Sequence, residues 1–407
     1  MRARNPYRGN LGVWPAFAGL LVCGSVLAVV SPGFRSPSNL ANLFTQGSVV
    51  AVVSMGLVFV LMLGEIDLSV AATGAVCGAL LAVLLQHAPV VVALPVVLFA
   101  GMLVGFTLGV LVTRTGLPSI AVTLVAVLGL NGLALLLLDG RTVAITDETV
   151  VAIATRSLGP NMSWLVWALG LGAYAMLEVQ RKRRGVHHRS YAEPPALALT
   201  RVATSGVVSA VLVLALNRER GPNPDVVSLR GTPIVVPIIA ALVVALSFVL
   251  RRTTFGRRLT LAADDPERAV DEGVDLGRLR IAVFVICSSM AAIGGVFMAS
   301  RSAAATSDSG GMFLIIAPVA AALLGMTGLF SGGGRLQGAL LGAAMITVLS
   351  NGLGLLSVPT GLQNLIVSLI VLLALAWRRE RPAVRIPVTV PAPRQAWQVR
   401  PSTRARG

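Results

Sequence analysis

Charge is scarce in this chain. Only 12% of its 407 residues are Asp, Glu, Lys or Arg, while 55% are hydrophobic and the mean hydropathy is +0.83. A soluble domain averages about 25% charged and about 45–50% apolar residues, so the composition argues against a soluble globular enzyme. Lysine is almost missing, since Lys182 is the single one. The net charge of +16 would suggest nucleic acid on a soluble protein. Here the arginines cluster in short stretches between apolar runs, the pattern of cytoplasmic loops, and no nucleic-acid partner is expected. Cysteine is rare too: Cys23, Cys77 and Cys287 lie in apolar runs without metal-type spacing and read as small core hydrophobes. The three histidines, His87, His187 and His188, supply no metal site either.

Catalytic signatures are also missing. There is no Walker A lysine motif, no HExxH and no plausible Ser/His/Asp set. The expectation is a chain with no catalytic residues, metal or bound cofactor. If it moves a solute against a gradient, the energy comes from a bound ATPase or an ion gradient. Ion-coupled carriers usually hold acids within their spans. Here nearly all of the 17 acids fall in loops or at span ends, apart from Glu65 and Asp67. That favours an ATPase partner, with a self-sufficient ion-coupled carrier as the alternative.

What the chain has is long apolar runs. A membrane-crossing helix takes about 20 apolar residues. The sequence predicts about twelve, over 12–31, 45–64, 67–86, 90–113, 117–138, 162–179, 198–216, 233–250, 281–299, 313–330, 336–356 and 361–377. The first follows Arg2, Arg4 and Arg8 and reads as a retained helix rather than a cleaved signal. With the N-terminus inside, 26 of the 33 basic residues fall on the cytoplasmic side and 7 outside. The expected fold is therefore an all-α polytopic membrane bundle with both termini cytoplasmic. Residues 1–11 form a cytoplasmic start, 12–377 the transmembrane domain, and 378–407 a basic tail with Pro382, Pro387, Pro391 and Pro393. The tail reads as disordered and drawn to anionic lipid.

Four segments stand out. Gly64–Val70, GEIDLSV, puts two acids into about forty nearly uncharged residues. Either it is an intramembrane helix break whose polar groups face a path, or a tight turn in which Asp67 or Ser69 caps the next helix. Residues 251–280 hold 6 of the 17 acids beside 7 arginines. There Asp264 or Asp265 with Pro266 can start a short amphipathic helix that Gly273 ends, which suits docking of a partner. Gly325–Arg335 carries three consecutive glycines, a backbone of unusual dihedrals or close approach, or else a flexible hairpin. Gly116–Leu124, GLPSIAVTL, places Thr123 against a neighbouring backbone or a polar lumen. Gly101, Gly105 and Gly109 have the small-xxx-small spacing of close helix packing.

Five of these stretches, in order along the whole chain, resemble one family. They are Glu65-Ile66-Asp67-Leu68-Ser69-Val70, Pro118-Ser119-Ile120-Ala121-Val122-Thr123-Leu124, Thr254-Phe255-Gly256-Arg257-Arg258, Gly325–Gly338 and Asn351-Gly352. Together they resemble the membrane subunits of bacterial sugar ABC importers of the ribose/xylose type. The pair of helices at 162–216 and the stretches Asp139–Ile145 and Leu216–Val226 resemble the xylose branch. The resemblance implies a ten-helix core plus that inserted pair. It implies a homodimer that docks cytoplasmic ATPase subunits, which bind the ATP, and an extracytoplasmic binding protein that delivers a xylose-like pentose. It implies ATPase contact through Gly256, Arg257, Arg258, Asp264, Asp265, Glu267, Arg268, Asp271, Glu272 and Gly273. Gly64, Glu65, Asp67, Ser69, Thr123 and Asn351 are the candidates for a path or helix break. Ala263-Asp264-Asp265 departs from the family's Gly-Gly-Asn, Glu272-Gly273-Val274 from Ser-Gly-Ile, Gly325-Met326-Thr327-Gly328 from Gly-Gly-Thr-Ser, and Ala71 from glycine.

Overall fold

The computed structural model describes residues 14–187, 195–221, 229–306, 312–326 and 335–376. Within them the chain forms α1 (Trp14–Val30), α2 (Pro37–Met62), α3 (Val70–Leu84), α4 (Val90–Thr115), α5 (Ser119–Leu138), α6 (Glu148–Thr155), α7 (Pro160–His187) and α8 (Pro195–Leu216). There follow α9 (Val235–Arg252), α10 (Thr254–Asp264), α11 (Pro266–Asp271), α12 (Leu276–Ser302), α13 (Met312–Met326), α14 (Arg335–Leu355) and α15 (Thr360–Ala376). One 3-10 turn, Pro32–Arg35, joins α1 to α2. Two short strands, β1 (Val143–Ala144) and β2 (Ala304–Ala305), pair antiparallel with Val143 opposite Ala305.

The twelve apolar runs of the sequence correspond to α1–α5, α7–α9 and α12–α15. Among the described residues, seven helices are long and apolar enough to cross a membrane and four more are apolar but shorter; α7 is not one of these eleven. Many of the helices turn large apolar side chains outward, among them Phe99, Leu128, Leu136, Leu169, Val207 and Leu372. A soluble protein rarely shows so much apolar surface; lipid covers it here. The chain is an all-α polytopic membrane protein.

The centre of the bundle is α2 and α12. Met55, Leu57, Phe59 and Phe284 are fully buried there. With lipid outside, burying apolar surface between helices gains little, and association rests on close backbone approach. Glycine supplies it. On α4, Gly101, Gly105 and Gly109 face α12, and a Cβ on Gly105 would stand 2.5 Å from the Phe284 carbonyl oxygen. Gly74 of α3 meets Gly295 of α12, and Gly325 of α13 meets Gly338 of α14, each leaving no room for a methyl group. The α7–α8 pair holds together by a Trp167 Nε1–H that donates to Ser209 Oγ at 2.9 Å and by Leu171 against Gly206.

The structure differs from the sequence reading in several places. The run expected at 67–86 is helical only over Val70–Leu84. That is about 22 Å at 1.5 Å per residue, short of a hydrocarbon core of about 30 Å. The run at 162–179 continues as one helix to His187, so Arg181–Arg184 are helical rather than a loop. The amphipathic helix expected from Asp265–Pro266 to Gly273 is α11, and a second helix, α10, precedes it. The run expected from 117 starts as a helix at Ser119, with Pro118 at its N-cap. The far end of α12 carries features without a periodic signal. Ser300 Oγ donates to Val150 O at 2.6 Å and accepts from Ala154 N at 2.9 Å, which seats α6 on α12. Beside it, Arg220 donates to Leu229 O, Gly231 O and Ser157 Oγ. Burial lowers the Arg220 guanidinium below its usual range, and the neighbouring Glu219 carboxylate opposes that shift. The start 1–11, the tail 378–407 and residues 327–334 of the glycine-rich segment lie outside the described residues.

Candidate functional site: a broken helix and the helices that reach it

Gly64 stops α2 in a way its residue type dictates. It has φ +75°, a left-handed conformation that glycine adopts without penalty. The Gly64 N–H donates to Leu61 O at 3.1 Å and the Glu65 N–H to Val60 O at 3.3 Å. These two bonds form a Schellman motif that ends the helix. From Glu65 to Leu68 the backbone is irregular, and α3 begins at Val70. Ser69 occupies the N-cap position but its side chain makes no cap bond. Ser69 therefore does not cap α3 through its side chain, whereas Asp67 accepts the Ser69 N–H at the entry to the helix.

Irregular backbone at membrane depth persists only where other groups satisfy it. Here α5 does so. Ser119 Oγ accepts from Ile66 N at 3.0 Å, and Thr123 Oγ1 accepts from Leu68 N at 3.2 Å. Thr123 Oγ1 also donates towards Ser119 O at 2.9 Å and Ile66 O at 3.4 Å. Asp67 satisfies its own segment, since its Oδ1 accepts from Ser69 N at 2.8 Å and Ser69 Oγ at 2.6 Å. Asp67 is completely buried, and its Oδ2 has no hydrogen-bond partner among the described residues.

Its neighbours on α12 give the depth of the break. Glu65 Oε1 pairs with Arg280 Nε at 2.7 Å, with the two side chains mostly covered. Asp67 adjoins Cys287, and Gly74 faces Ala291. At 1.5 Å per residue, Asp67 stands about 16 Å along α12 from Leu276. The turn lies near one end of the bundle, and Asp67 lies inside it.

The end where Glu65 pairs also carries the charged helices. Thr253 caps α10 by accepting from Gly256 N at 3.1 Å, and Gly256 itself lies against the Val249 and Leu250 carbonyls. Asp265 caps α11 by accepting from Arg268 N at 3.1 Å, with Pro266 in the first turn. Gly273 follows with φ +78°. Asp275 then caps α12 by accepting from Arg278 N at 3.0 Å. Leu259, Ala262 and Ala269 point inward, in the same apolar cluster as Met62 of α2. Arg257, Arg258, Asp264, Asp265, Glu267, Arg268, Asp271, Glu272 and Gly273 are exposed. Arg257, Arg258 and Glu272 border a depression of about 340 Å³, and Arg268 pairs with Glu272 at 2.8 Å.

The structure thus brings Gly64, Glu65, Asp67, Ser69 and Thr123 into one assembly, with the charged helices α10 and α11 at the same end of the bundle. Asn351 is not part of it. Asn351 Oδ1 accepts from Asn39 Nδ2 at 3.0 Å, and its Nδ2 donates to Gln46 Oε1 at 3.4 Å, joining α14 to the start of α2. Two participants escaped the sequence reading. Ser119 stood in a quoted motif without a role, and Arg280 was counted only as loop charge.

A sequence profile described as "Branched-chain amino acid transport system / permease component" matches residues 39–375. The chain is 30% identical over 368 residues to the xylose transport system permease protein XylH of Escherichia coli (strain K12), covering 90% of this chain and 91% of that one. It is 26% identical over 392 residues to the L-arabinose ABC transporter permease protein AraH of Azospirillum brasilense, covering 94% of each. It is 24% identical over 368 residues to the ribose import permease protein RbsC of Bacillus subtilis (strain 168), covering 90% of this chain and 92% of that one. No solved structure matches. The profile spans most of the chain and the relatives align nearly end to end, so the chain belongs to the ribose/xylose-type family of sugar ABC transporter permeases.

Proposed function

We propose that this chain is the membrane-spanning subunit of an ATP-driven importer for a xylose-like pentose in a bacterial cytoplasmic membrane. It works as a homodimer. A separate cytoplasmic ATPase subunit binds the ATP, and an extracytoplasmic binding protein delivers the sugar. Twelve crossings, α1–α5, α7–α9 and α12–α15, put both termini in the cytoplasm, in line with the basic residues at 26 of 33 on that side. Residues 12–377 make the transmembrane domain, with the inserted pair within 162–216, and the basic tail 378–407 lies on anionic lipid. The observation that carries the reading is the break at Gly64–Ser69, in which Asp67 and Ser69 are buried. Its Glu65 is tied by Arg280 to the start of α12, directly after the exposed charged helices α10 and α11. Movement of a docked ATPase against α10–α11 would then reach the break through one rigid helix, a shear of packed elements.

One observation favours the rival reading of an ion-coupled carrier: the Asp67 carboxylate is buried with Oδ2 unpartnered, as intramembrane acids of proton relays often are. Reconstitution separates the two. The importer reading expects pentose uptake only when the ATPase subunit, the binding protein and ATP are all present. It also expects that deletion of residues 260–276 abolishes co-purification of the ATPase subunit while the chain still inserts. Uptake by the purified chain alone, driven by a proton gradient, would overturn it.

A further inference from the structure

At the end of α12 opposite the charged helices lies a cavity of about 410 Å³, bordered by Gln46, Val49, Val50, Met298, Arg301, Ser302 and Thr347. This volume is within the usual range for a small-molecule site, roughly 300–1,000 Å³. Its polar groups are donors in surplus. Arg301 spends one N–H on Asn42 Oδ1 at 3.4 Å and pairs with no carboxylate among the described residues. Gln46 uses its Oε1 to accept from Asn351, which leaves its amide N–H groups for the cavity. Ser302 and Thr347 donate their hydroxyl hydrogens to the Met298 and Ala343 carbonyls, so their oxygens remain as acceptors. Asn39, Asn351 and Gln46 form a chain of hydrogen bonds that fixes the Gln46 side chain.

Below this cavity the bundle narrows. Val49 and Met298 also border a second void of about 20 Å³, with Val53, Val70, Ala71 and Pro318. A void of this size holds one water at most, because a site needs roughly 10–15 Å³ of such volume for one. A pentose is several times larger. Val70 and Ala71 are the residues that follow the break at Asp67–Ser69. The vestibule, the constriction and the break therefore lie in sequence along α12, closed in the middle.

We propose that the vestibule is the first station of the sugar inside the permease. It receives an uncharged monosaccharide through hydrogen bonds donated by Arg301 and Gln46, above an apolar gate of Val53, Met298 and Pro318. This rests on the importer reading above and names the residues that meet its substrate. Hydroxyl and ring oxygens of a sugar each accept a hydrogen bond, which suits a donor-rich wall. No aromatic ring among the described residues borders the cavity, so stacking by them adds nothing and binding is weak. Weak binding is what a path requires, since the solute must leave as readily as it enters. A carboxylated sugar would form a charge-assisted pair with Arg301 and be held too long.

The test uses the full permease with its ATPase subunit and binding protein in proteoliposomes, with D-xylose as the probe. R301Q and Q46L each reduce ATP-driven uptake about tenfold, the equivalent of one hydrogen bond, while co-purification of the ATPase subunit persists. V53A and M298A, tested separately in case one does not fold, admit the sugar without ATP. Wild-type uptake rates in both R301Q and Q46L would overturn the vestibule. Tight retention in either gate variant would overturn the gate. Stronger competition by xylonate than by xylose would overturn the uncharged ligand class. If the wild-type complex shows no ATP-dependent uptake, the importer reading fails and takes this site with it; uptake that survives in the variants removes the site alone.

Discussion

Thr123 does for the break what a strand or helix partner does elsewhere. Its hydroxyl accepts from Leu68 N and leans towards Ile66 O, two backbone groups that no helix can satisfy. Thr123→Val keeps shape and volume but orphans the Leu68 N–H. A buried donor without an acceptor costs about 1–3 kcal/mol. The valine variant is therefore expected to unfold at a lower temperature in detergent micelles, while Thr123→Ser, which keeps the oxygen, stays near wild type. Equal stability of the two variants would show that water or another group satisfies Leu68. The sequence marked Thr123 because a hydroxyl stood out in an apolar run. It could not mark Ser119 or Arg280 in the same way. Their partners, Ile66 and Glu65, lie 53 and 215 positions away, and no local pattern encodes such a pairing.

At the scale of elements, the legible parts were those with a local chemical signature. The apolar runs gave α1–α5, α7–α9 and α12–α15, and the Asp265–Pro266 start and Gly273 stop gave α11. The parts missed depend on tertiary contact. The shortening of α3, the continuation of α7 through its arginines, the short helix α6 and the β1–β2 pair carry little or no periodic signal. The most consequential of these long-range links is Glu65–Arg280, which joins the break to the first turns of α12. It is neither fully exposed nor fully buried. Its worth therefore falls between roughly 0–1 kcal/mol for surface pairs and about 3–5 kcal/mol for loss of one partner from a buried pair. Glu65→Arg and Arg280→Glu each set like charges together, and each should reduce sugar moved per ATP hydrolysed about tenfold, or ~1.4 kcal/mol. The double exchange restores the attraction and should recover most of the coupling. If the double variant is as poor as the sum of the singles, the pair only stabilises the turn and transmits nothing.

At the scale of the whole molecule, function depends on which end of α12 faces the ATP. The two ends differ in kind. Beside Leu276 are α10 and α11, with Asp271 and its charged neighbours exposed. Beside Ser302 are β1, β2 and α6, with Asp139 and Arg141 paired at 2.7 Å on the surface. At about 1.5 Å per residue, α12 separates these ends by roughly 40 Å, enough to cross a bilayer. If the inserted pair α7–α8 crosses twice, as the proposed topology has it, the sides of all later helices are unchanged. On the proposed topology the distribution of arginine would put α10–α11 inside and the vestibule outside. A cysteine at position 139 and one at position 271 test this directly. The native cysteines interfere little, because Cys77 and Cys287 are buried and Cys23 can be replaced. With an impermeant thiol reagent on intact cells, Asp139→Cys should react and Asp271→Cys should not. After permeabilisation both should react. The reverse result would invert the bundle and place the charged helices where no ATP reaches them, and reaction of both in intact cells would mean that the chain between them does not cross as a bundle of this parity must.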